Sequence, residues 1–456
     1  MASYTIKKGL NLKLTGAPDV SIRELPASPQ RVLHPAQDYP NLKLRPKIKE
    51  GDQVKRGTPL FFDKKNPAFQ ICAPAAGTVS AIEFGPRRVF AKVVIDVAGQ
   101  DDCEAVAPLS EQAVLGTDRD TIVHQLQQFG FSSLIRTRPF DRTMNPDQPP
   151  KSIFVNAMAT APFQPDLAVV LPGQESAFRT GLAVLSRLTE GKVHLCLDGN
   201  KTNGPELTGA PHVEIHSFKG PHPAGNTSVH IHTIDPISPG DVVWAVQALD
   251  VIRIGTLFET GKYPAQRIIS LAGPGLKENA RAHYKVQEGS SLAPVLAEQK
   301  AFDEVRCVAG TAFFGPKVST DSPVRFHGHG ITVLEEDRSR LFLGWLLPGL
   351  KRYSLSRAYA STWLKPKKTW TLGTSQNGEL RPMVLTGLYD KYMPINLMVD
   401  FLVRAVLAKD SSEAIQLGIL ETVPEDFAVA AFACPSKMDL CGIIQKGLDQ
   451  IEQEGI

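Results

Sequence analysis

KEGDQVKRGTPL at residues 49–60 and ICAPAAGTVSAI at residues 71–82 are the two stretches that decide the fold of the amino-terminal part of the chain. In each stretch, glycines stand where a tight turn needs positive φ, between alternating Val, Ile and Leu residues that can face a small core. This pattern predicts short strands joined by tight turns, so we expect the first hundred residues to form a β-structure.

Together the two stretches resemble the barrel-sandwich module of biotinyl and lipoyl carriers, whose halves read EGDxVxxGxxL and APxxGxVxxI. In such carriers a modified lysine lies on the hairpin between the halves, which is about where Lys64 and Lys65 stand. Neither lysine has the flanking MKM or DKA pattern of a modification site. An unmodified basic loop is therefore the favoured interpretation, and a biotin or lipoate carrier is the alternative.

From Lys151 onward, short apolar runs alternate with amphipathic stretches, which is typical of a parallel, Rossmann-like α/β sheet. The runs predicted as strands are residues 152–155, 192–197, 212–215, 251–254 and 267–271. Residues 174–188 carry apolar side chains at helical spacing, and residues 241–249 are predicted as a second helix. Further along, β-type patterns return over residues 284–334, and the carboxy-terminal part is helical.

The chain is therefore predicted to be a multidomain α/β protein, as its 456 residues allow. We expect a barrel-sandwich hybrid β module over residues 1–100 and a Rossmann-like domain without flavin or NADH motifs over residues 101–255. A β-grasp-like domain of the SLBB type should follow over residues 256–335. Residues 336–456 should end in a helical domain without an iron–sulfur cluster.

Composition narrows the function classes. Hydrophobic residues make up 42% of the chain and charged residues 21%, an ordinary globular balance. The net charge of +3 is too small for the dense basic face of a nucleic-acid binder, so we expect no nucleic-acid partner. No stretch approaches the roughly 20 apolar residues that span a bilayer. The six cysteines include no CxxC pair, which favours reduced thiols in the cytoplasm.

Motifs for cofactors and metals are incomplete. No GxGxxG occurs, and GTLFETGK at residues 255–262 departs from a phosphate-binding P-loop in spacing and in having Tyr263 at the magnesium-binding position. Five of the eleven histidines fall between His212 and His232. His230 and His232 would share one face of a strand and could bind a metal there, but hydrogen bonding within a packed loop is the favoured interpretation. We therefore expect no catalytic residue and no metal.

Several blocks, in order, resemble one known family, the NqrA family, whose members belong to the Na⁺-translocating NADH:quinone oxidoreductase. They extend over nearly the whole chain: IKKGL at 6–10, EGDQVKRG at 50–57, LFFDKKNP at 60–67, RTRPF at 136–140, GPHPAG at 220–225 and ACPSK at 433–437. More distantly, the family is similar to the NADH- and flavin-binding subunit of respiratory complex I and to the C subunit of the Rnf complex.

The resemblance implies a peripheral subunit on the cytoplasmic side of the inner membrane that binds no redox cofactor itself and is not catalytic alone. FMN, FAD, riboflavin and iron centres are then expected in partner subunits, with the membrane subunit NqrB as the main contact and ubiquinone as a ligand. In the cofactor-binding relatives a glycine-rich loop holds flavin phosphate, and residues 130–140 take its place here with bulky Arg, Ile and Pro. An Rnf-type electron-transfer subunit is the alternative.

The resemblance also implies a quinone site built from two segments. Residues 32–44 contribute Tyr39, and residues 133–140 contribute Arg136, Arg138 and Phe140. An aromatic ring and arginines suit a quinone headgroup through stacking and charge-assisted hydrogen bonds. A solvated basic turn is the other interpretation of the arginine segment. Apolar residues 341–350 with Trp345, and the lysines of 365–368, suggest a docking surface, with core packing as the alternative.

Overall fold

The computed structural model describes residues 1–25, 30–39, 42–339, 342–344, 346–364, 369–384 and 387–455. Trp345 and residues 365–368 of the predicted docking surface lie outside this described part.

The described strands follow one another along the chain as β1 Ala2–Thr5, β2 Asp19–Glu24, β3 Arg31–Pro35, β4 Leu44–Pro46, β5 Gln53–Val54, β6 Pro59–Asp63, β7 Gln70–Cys72, β8 Gly77–Phe84, β9 Phe90–Val97, β10 Arg136–Arg138, β11 Arg142–Thr143, β12 Ser152–Ala157, β13 Lys192–Asp198, β14 Glu214–Lys219, β15 Val243–Gln247, β16 Gln266–Ala272, β17 Ala282–Gln287, β18 Val305–Ala309, β19 Lys317–Val318 and β20 Gly330–Glu335.

The described α-helices are α1 Glu111–Gly116, α2 Arg119–Gln128, α3 Leu167–Val170, α4 Glu175–Ser186, α5 Pro205–Thr208, α6 Thr227–Ile234, α7 Ala248–Thr260, α8 Ala293–Glu298, α9 Val399–Leu407, α10 Ser411–Gln416, α11 Ala428–Ala433 and α12 Leu440–Glu454.

The barrel-sandwich module is confirmed. A four-stranded sheet in the order β3-β9-β8-β5 and a three-stranded sheet in the order β4-β6-β7 share one apolar core. Gly51 and Gly57 have positive φ angles of 91° and 94°, as their turns require. Lys64 and Lys65 are exposed in the turn between β6 and β7.

A seven-stranded sheet in the order β1-β14-β13-β12-β15-β10-β11 forms the second structural unit, called the α/β unit below. Its central strands β14, β13, β12 and β15 are parallel, as the alternation of apolar runs predicts, and β10 and β11 add an antiparallel edge. The first two strands pair with strands from much later in the chain, because β1 pairs with β14 and β2 pairs with β17. The predicted domain boundaries at residues 100, 255 and 335 stay predictions.

Two neighbouring predictions in this unit are wrong. Residues 241–249 were expected as a helix and residues 251–254 as a strand, whereas the chain forms strand Val243–Gln247 and then helix Ala248–Thr260. Trp244 and Val246 are buried within the sheet, and Val251, Ile254 and Phe258 are buried along the helix. A short apolar run fits either element, and only the place in the fold decides between them. The predicted strand 212–215 begins two residues later, at Glu214.

A six-stranded mixed sheet in the order β19-β18-β20-β16-β17-β2 follows, with its own apolar core. The last helices, α9 to α12, surround a further core, which confirms the helical carboxy-terminal region. The side chain of Asp410 accepts a hydrogen bond from the Glu413 amide and caps the start of α10. Ile444, Leu448 and Ile451 lie on the buried face of α12.

Helices α4 and α7 cross at two glycines. A Cβ atom on Gly255 would lie 1.7 Å from the Ala177 carbonyl oxygen, and one on Gly181 would lie 2.2 Å from that of Val251. Gly261, the second glycine of the GTLFETGK stretch, ends α7 in the left-handed conformation. These glycines thus serve helix packing and helix termination, which accounts for their spacing without a bound phosphate.

We expect Gly255→Ala to destabilise the chain. Alanine favours a helix interior intrinsically, but the overlap with the Ala177 carbonyl forces the helices apart at a cost of about 1–3 kcal/mol. The measurement is the midpoint of thermal unfolding. Gly116→Ala at the end of α1 is the matched control, because a Cβ atom added there would meet nothing within 4 Å beyond its own helix backbone and chain neighbours, so the stability should not fall. Equal midpoints for both variants would contradict the close crossing.

Candidate functional site

Arg253 is the centre of a buried ionic network where the α/β unit meets the six-stranded sheet. From α7, its guanidinium lies 3.3 Å from Asp250 and 3.1 Å from Glu288, and it donates to the Phe326 carbonyl at 3.0 Å. Glu288 also accepts from the Tyr263 hydroxyl at 3.1 Å. The guanidinium carbon stands 4.5 Å from the centre of the Phe326 ring. The α/β unit and the six-stranded sheet are thereby joined at one buried charge.

Tyr39 lies beside this network in an aromatic cluster. Its ring centre is 5.5 Å from that of Phe326, 5.6 Å from that of His327 and 6.2 Å from that of Phe69. Burial raises the pKa of Tyr39, so its hydroxyl stays protonated. The adjacent Asp38 carboxylate pairs with Arg325 and accepts from the Phe326 amide at 2.7 Å. These bonds hold Tyr39 against the six-stranded sheet.

Arg136, Arg138 and Phe140 belong to the β10–β11 hairpin at the sheet edge. Asp141 in its turn lies 3.2 Å from each arginine. Burial alone would favour the neutral acid, but the two arginine charges outweigh it and lower the pKa of Asp141. Both arginines are therefore paired within the hairpin, and an anionic or polar ligand would have to compete with Asp141.

The same hairpin is attached to the carboxy-terminal helices. Arg142 lies 2.8 Å from Asp449 and also pairs with Glu452, both on α12. Phe140 packs against the apolar core of these helices. Burial, reinforced by the neighbouring Asp426, raises the pKa of Glu425 to about 7 although the charge of Arg138 opposes the shift. The hairpin therefore contacts ionisable residues of the helical region.

The structure thus divides the four predicted quinone residues into two places. His327 is near both Tyr39 and Arg136. The His327 ring contacts that of Tyr39, and the pKa of His327 is lowered first by burial and then by the charge of Arg136. Arg138 and Phe140 instead face the carboxy-terminal helices. The quinone assignment stays a prediction.

Sequence reasoning missed the residues that organise this region: Asp38, Asp141, His327 and Glu425. Asp141 could have been found, because an aspartate three residues after the second of two arginines in one short segment suggests an internal ion pair. The other three come from distant parts of the chain and carry no local signal. They become neighbours only when the sheets dock.

Space for a ligand is limited at the junction. A cavity of about 30 Å³ lies between α7 and β16, bounded by Arg253, Arg267 and His329. Pockets that hold drug-sized ligands measure roughly 300–1,000 Å³, so this cavity has room for only about one or two water molecules. A quinone headgroup at this place would need the surrounding elements to move apart.

In residues 130–140, the segment for which the family resemblance raises the question of a flavin phosphate, several backbone amides are already bonded. A phosphate cradle needs free backbone N–H groups. Here the amides of Gly130, Ser133 and Ile135 donate to the carbonyls of Gln127, Gly130 and Ser132. A Cβ atom on Gly130 would lie 2.6 Å from the Gln70 carbonyl oxygen, so this glycine serves close packing against the barrel-sandwich module.

The prediction that His230 and His232 alternate along a strand is wrong, because both lie on helix α6. Residues two apart on a helix point in different directions. His230 is 3.0 Å from the Ala224 carbonyl, and His232 pairs with Glu421. A different group could hold a metal: the ligand atoms of His194, Glu214 and His216 all lie within 4.8 Å of one another.

Comparison with known proteins identifies the family. Residues 4–98 match the model of the NqrA N-terminal barrel-sandwich hybrid domain, and residues 117–263 match that of the NqrA second alpha/beta domain. The NqrA chain of the Na(+)-translocating NADH-quinone reductase of Pasteurella multocida is 40% identical over 99% of this chain and 100% of its own length. The corresponding chain of Saccharophagus degradans is also 40% identical, over 99% of each chain.

These matches define the class of protein first: the chain is a multidomain α/β protein whose relatives are subunits of an NADH-quinone reductase complex. It belongs to the NqrA family of the Na⁺-translocating NADH-quinone reductase. A solved NAD⁺-reducing [NiFe]-hydrogenase chain aligns with 74% of this chain and 65% of its own length, at 11% identity and a TM-score of 0.40, too low to support an argument.

We expect Glu425→Gln to change the pH dependence of stability. Because the folded pKa of about 7 exceeds the ordinary value of 4.5, this carboxyl favours folding fully below the lower value, and the contribution is lost as pH rises through about 7. The thermal midpoint of the variant minus that of the unchanged chain should therefore increase as the pH is raised from about 5 to about 8. Glu190→Gln, at an exposed turn, is the control and should show no such trend. A flat difference for Glu425→Gln would contradict the raised pKa.

Proposed function

We propose that this chain works as NqrA, the peripheral, cytoplasmic-side subunit of a Na⁺-pumping NADH:ubiquinone oxidoreductase, and holds no redox cofactor itself. The observation that carries the proposal is the end-to-end match to NqrA relatives, which spans 99% of this chain. None of the described helices combines the length and apolarity needed to cross a membrane. Membrane subunits, with NqrB as the main contact, then supply the path for Na⁺ and the flavin and iron centres.

The absence of a cofactor is supported by the chemistry of residues 130–140. The amides of Gly130, Ser133 and Ile135 are bonded to backbone carbonyls, and the segment carries Ile, Arg and Pro where the resemblance implies a glycine-rich loop in cofactor-binding proteins. Within the complex, this scaffold serves assembly and quinone access. We place the quinone or inhibitor contact between Tyr39 and the β10–β11 hairpin, since aromatic and cationic groups converge there around His327.

The first experiment purifies the tagged chain from native membranes under mild detergent. We expect it to bring down a multisubunit complex with NADH:ubiquinone reductase activity that depends on Na⁺. Purification without such a complex would refute the proposal.

The isolated chain should lack flavin and iron–sulfur absorbance, and such bands would favour the Rnf-type alternative. Its intact mass should equal the sequence mass, because a biotinyl or lipoyl group on Lys64 or Lys65 would indicate a carrier.

The quinone contact is tested in the assembled complex with a photoreactive ubiquinone analogue. We expect labelled peptides that contain Tyr39 or the β10–β11 hairpin, and weaker labelling in Arg136→Gln because a cation near His327 is lost. Arg306→Gln is the control, since Arg306 pairs with Glu336 in the six-stranded sheet. Labelling confined to other subunits would place the quinone site outside this chain while leaving its membership of the complex intact.

A further inference from the structure

Two histidines and a glutamate meet on neighbouring parallel strands of the seven-stranded sheet. His194 on β13 stands directly opposite Glu214 on β14, and His216 follows two residues later on the same face. His194 Nδ1 lies 3.0 Å from His216 Nε2 and 3.8 Å from a carboxylate oxygen of Glu214. The three side chains converge because of strand register, although 22 residues separate the histidines.

These distances suit one metal ion. Zn²⁺ binds histidine nitrogens at about 2.0–2.1 Å in tetrahedral sites, which puts two such nitrogens roughly 3.3 Å apart. The observed separation of 3.0 Å needs only a small adjustment of the rings. Imidazole and carboxylate ligands suit Zn²⁺ and neighbouring transition metals, whereas Mg²⁺ and Ca²⁺ prefer oxygen ligands alone.

The protonation state of the two histidines also suits the binding of a cation. Burial lowers the pKa of His216 and lowers that of His194 to about 4, so both rings are neutral near pH 7, as metal ligands must be. His216 is 7% exposed and its Nδ1 atom has no hydrogen-bond partner. The nitrogens that would bind the ion are His194 Nδ1 and His216 Nε2, which share one hydrogen bond without a metal, while His216 Nδ1 stays unpaired in either case.

Solvent reaches the site at Glu214, and the same carboxylate supplies a negative charge that balances part of the charge of the ion. The Glu214 side chain is 46% exposed, so the third ligand lies at the solvent boundary. Its present partner Lys192, at 2.6 Å, is 66% exposed and can turn away at little cost, because exposed ion pairs contribute little stability.

We propose that His194, Glu214 and His216 form a binding site for a divalent transition-metal ion of the Zn²⁺ class, with water in the fourth position. The site is independent of the quinone region, since it lies on β13 and β14 rather than on the β10–β11 hairpin. The sequence expectation of no metal considered His230 and His232, and those residues have other partners. An ion here would tie β13 to β14, the strand on which β1 pairs.

The test is a calorimetric titration of the full-length, chelator-treated chain with Zn²⁺. We expect one ion per chain, and an affinity at least about tenfold lower in Glu214→Gln, whose partly exposed position should leave the fold intact. His216→Gln should lose binding as well, with circular dichroism checking that it folds. His124→Ala removes an exposed histidine on α2 and should bind like the unchanged chain.

Co²⁺ provides a second reading, because a tetrahedral N/O site gives it visible absorption that Glu214→Gln should abolish. Mg²⁺ should not compete for the site. The proposal is overturned if Zn²⁺ shows no saturable binding, if Glu214→Gln and His216→Gln bind like the unchanged chain, or if His124→Ala loses binding to the same extent. None of these outcomes bears on the role of the chain in the reductase complex.

Discussion

The buried charge of Arg253 constrains how the parts of this molecule come together. A guanidinium removed from water is costly unless it is paired and hydrogen-bonded. Its partners come from different units: Asp250 from its own helix, Glu288 from the end of β17, and the Phe326 carbonyl from the loop before β20. The α/β unit and the six-stranded sheet must therefore dock in one arrangement, and Tyr39 is held against the Phe326 ring as a result.

The β10–β11 hairpin extends this constraint to the carboxy-terminal helices. Asp141 pairs with both Arg136 and Arg138 within the hairpin, and Arg142 pairs with Asp449 and Glu452 on α12. Three of the four predicted quinone residues, Arg136, Arg138 and Phe140, thus lie on a structural connection between units. A ligand that displaced Asp141 from its arginines would alter the contacts of the helical region at the same time.

The fold was largely predictable where local chemistry determines it. The glycines of residues 49–60 need positive φ, and the apolar spacing of α4 and α12 is helical in any context. Prediction failed at residues 241–254, where apolar runs of similar length became a strand and then a helix. The neighbours of each run decided the outcome, since Trp244 is enclosed in the sheet while Gly255 meets the backbone of α4.

By itself, the sequence determined the barrel-sandwich module, the parallel sheet, the helical end and the family resemblance, because turns, periodicity and motif order are local properties. Only the tertiary structure decided which charges meet. His194 and His216 converge through strand register, and Glu425 approaches Arg138 through packing of the helices on the hairpin. Such contacts depend on distances between residues far apart in the chain. No local pattern of residue types encodes those distances, so the site could be seen only in the folded molecule.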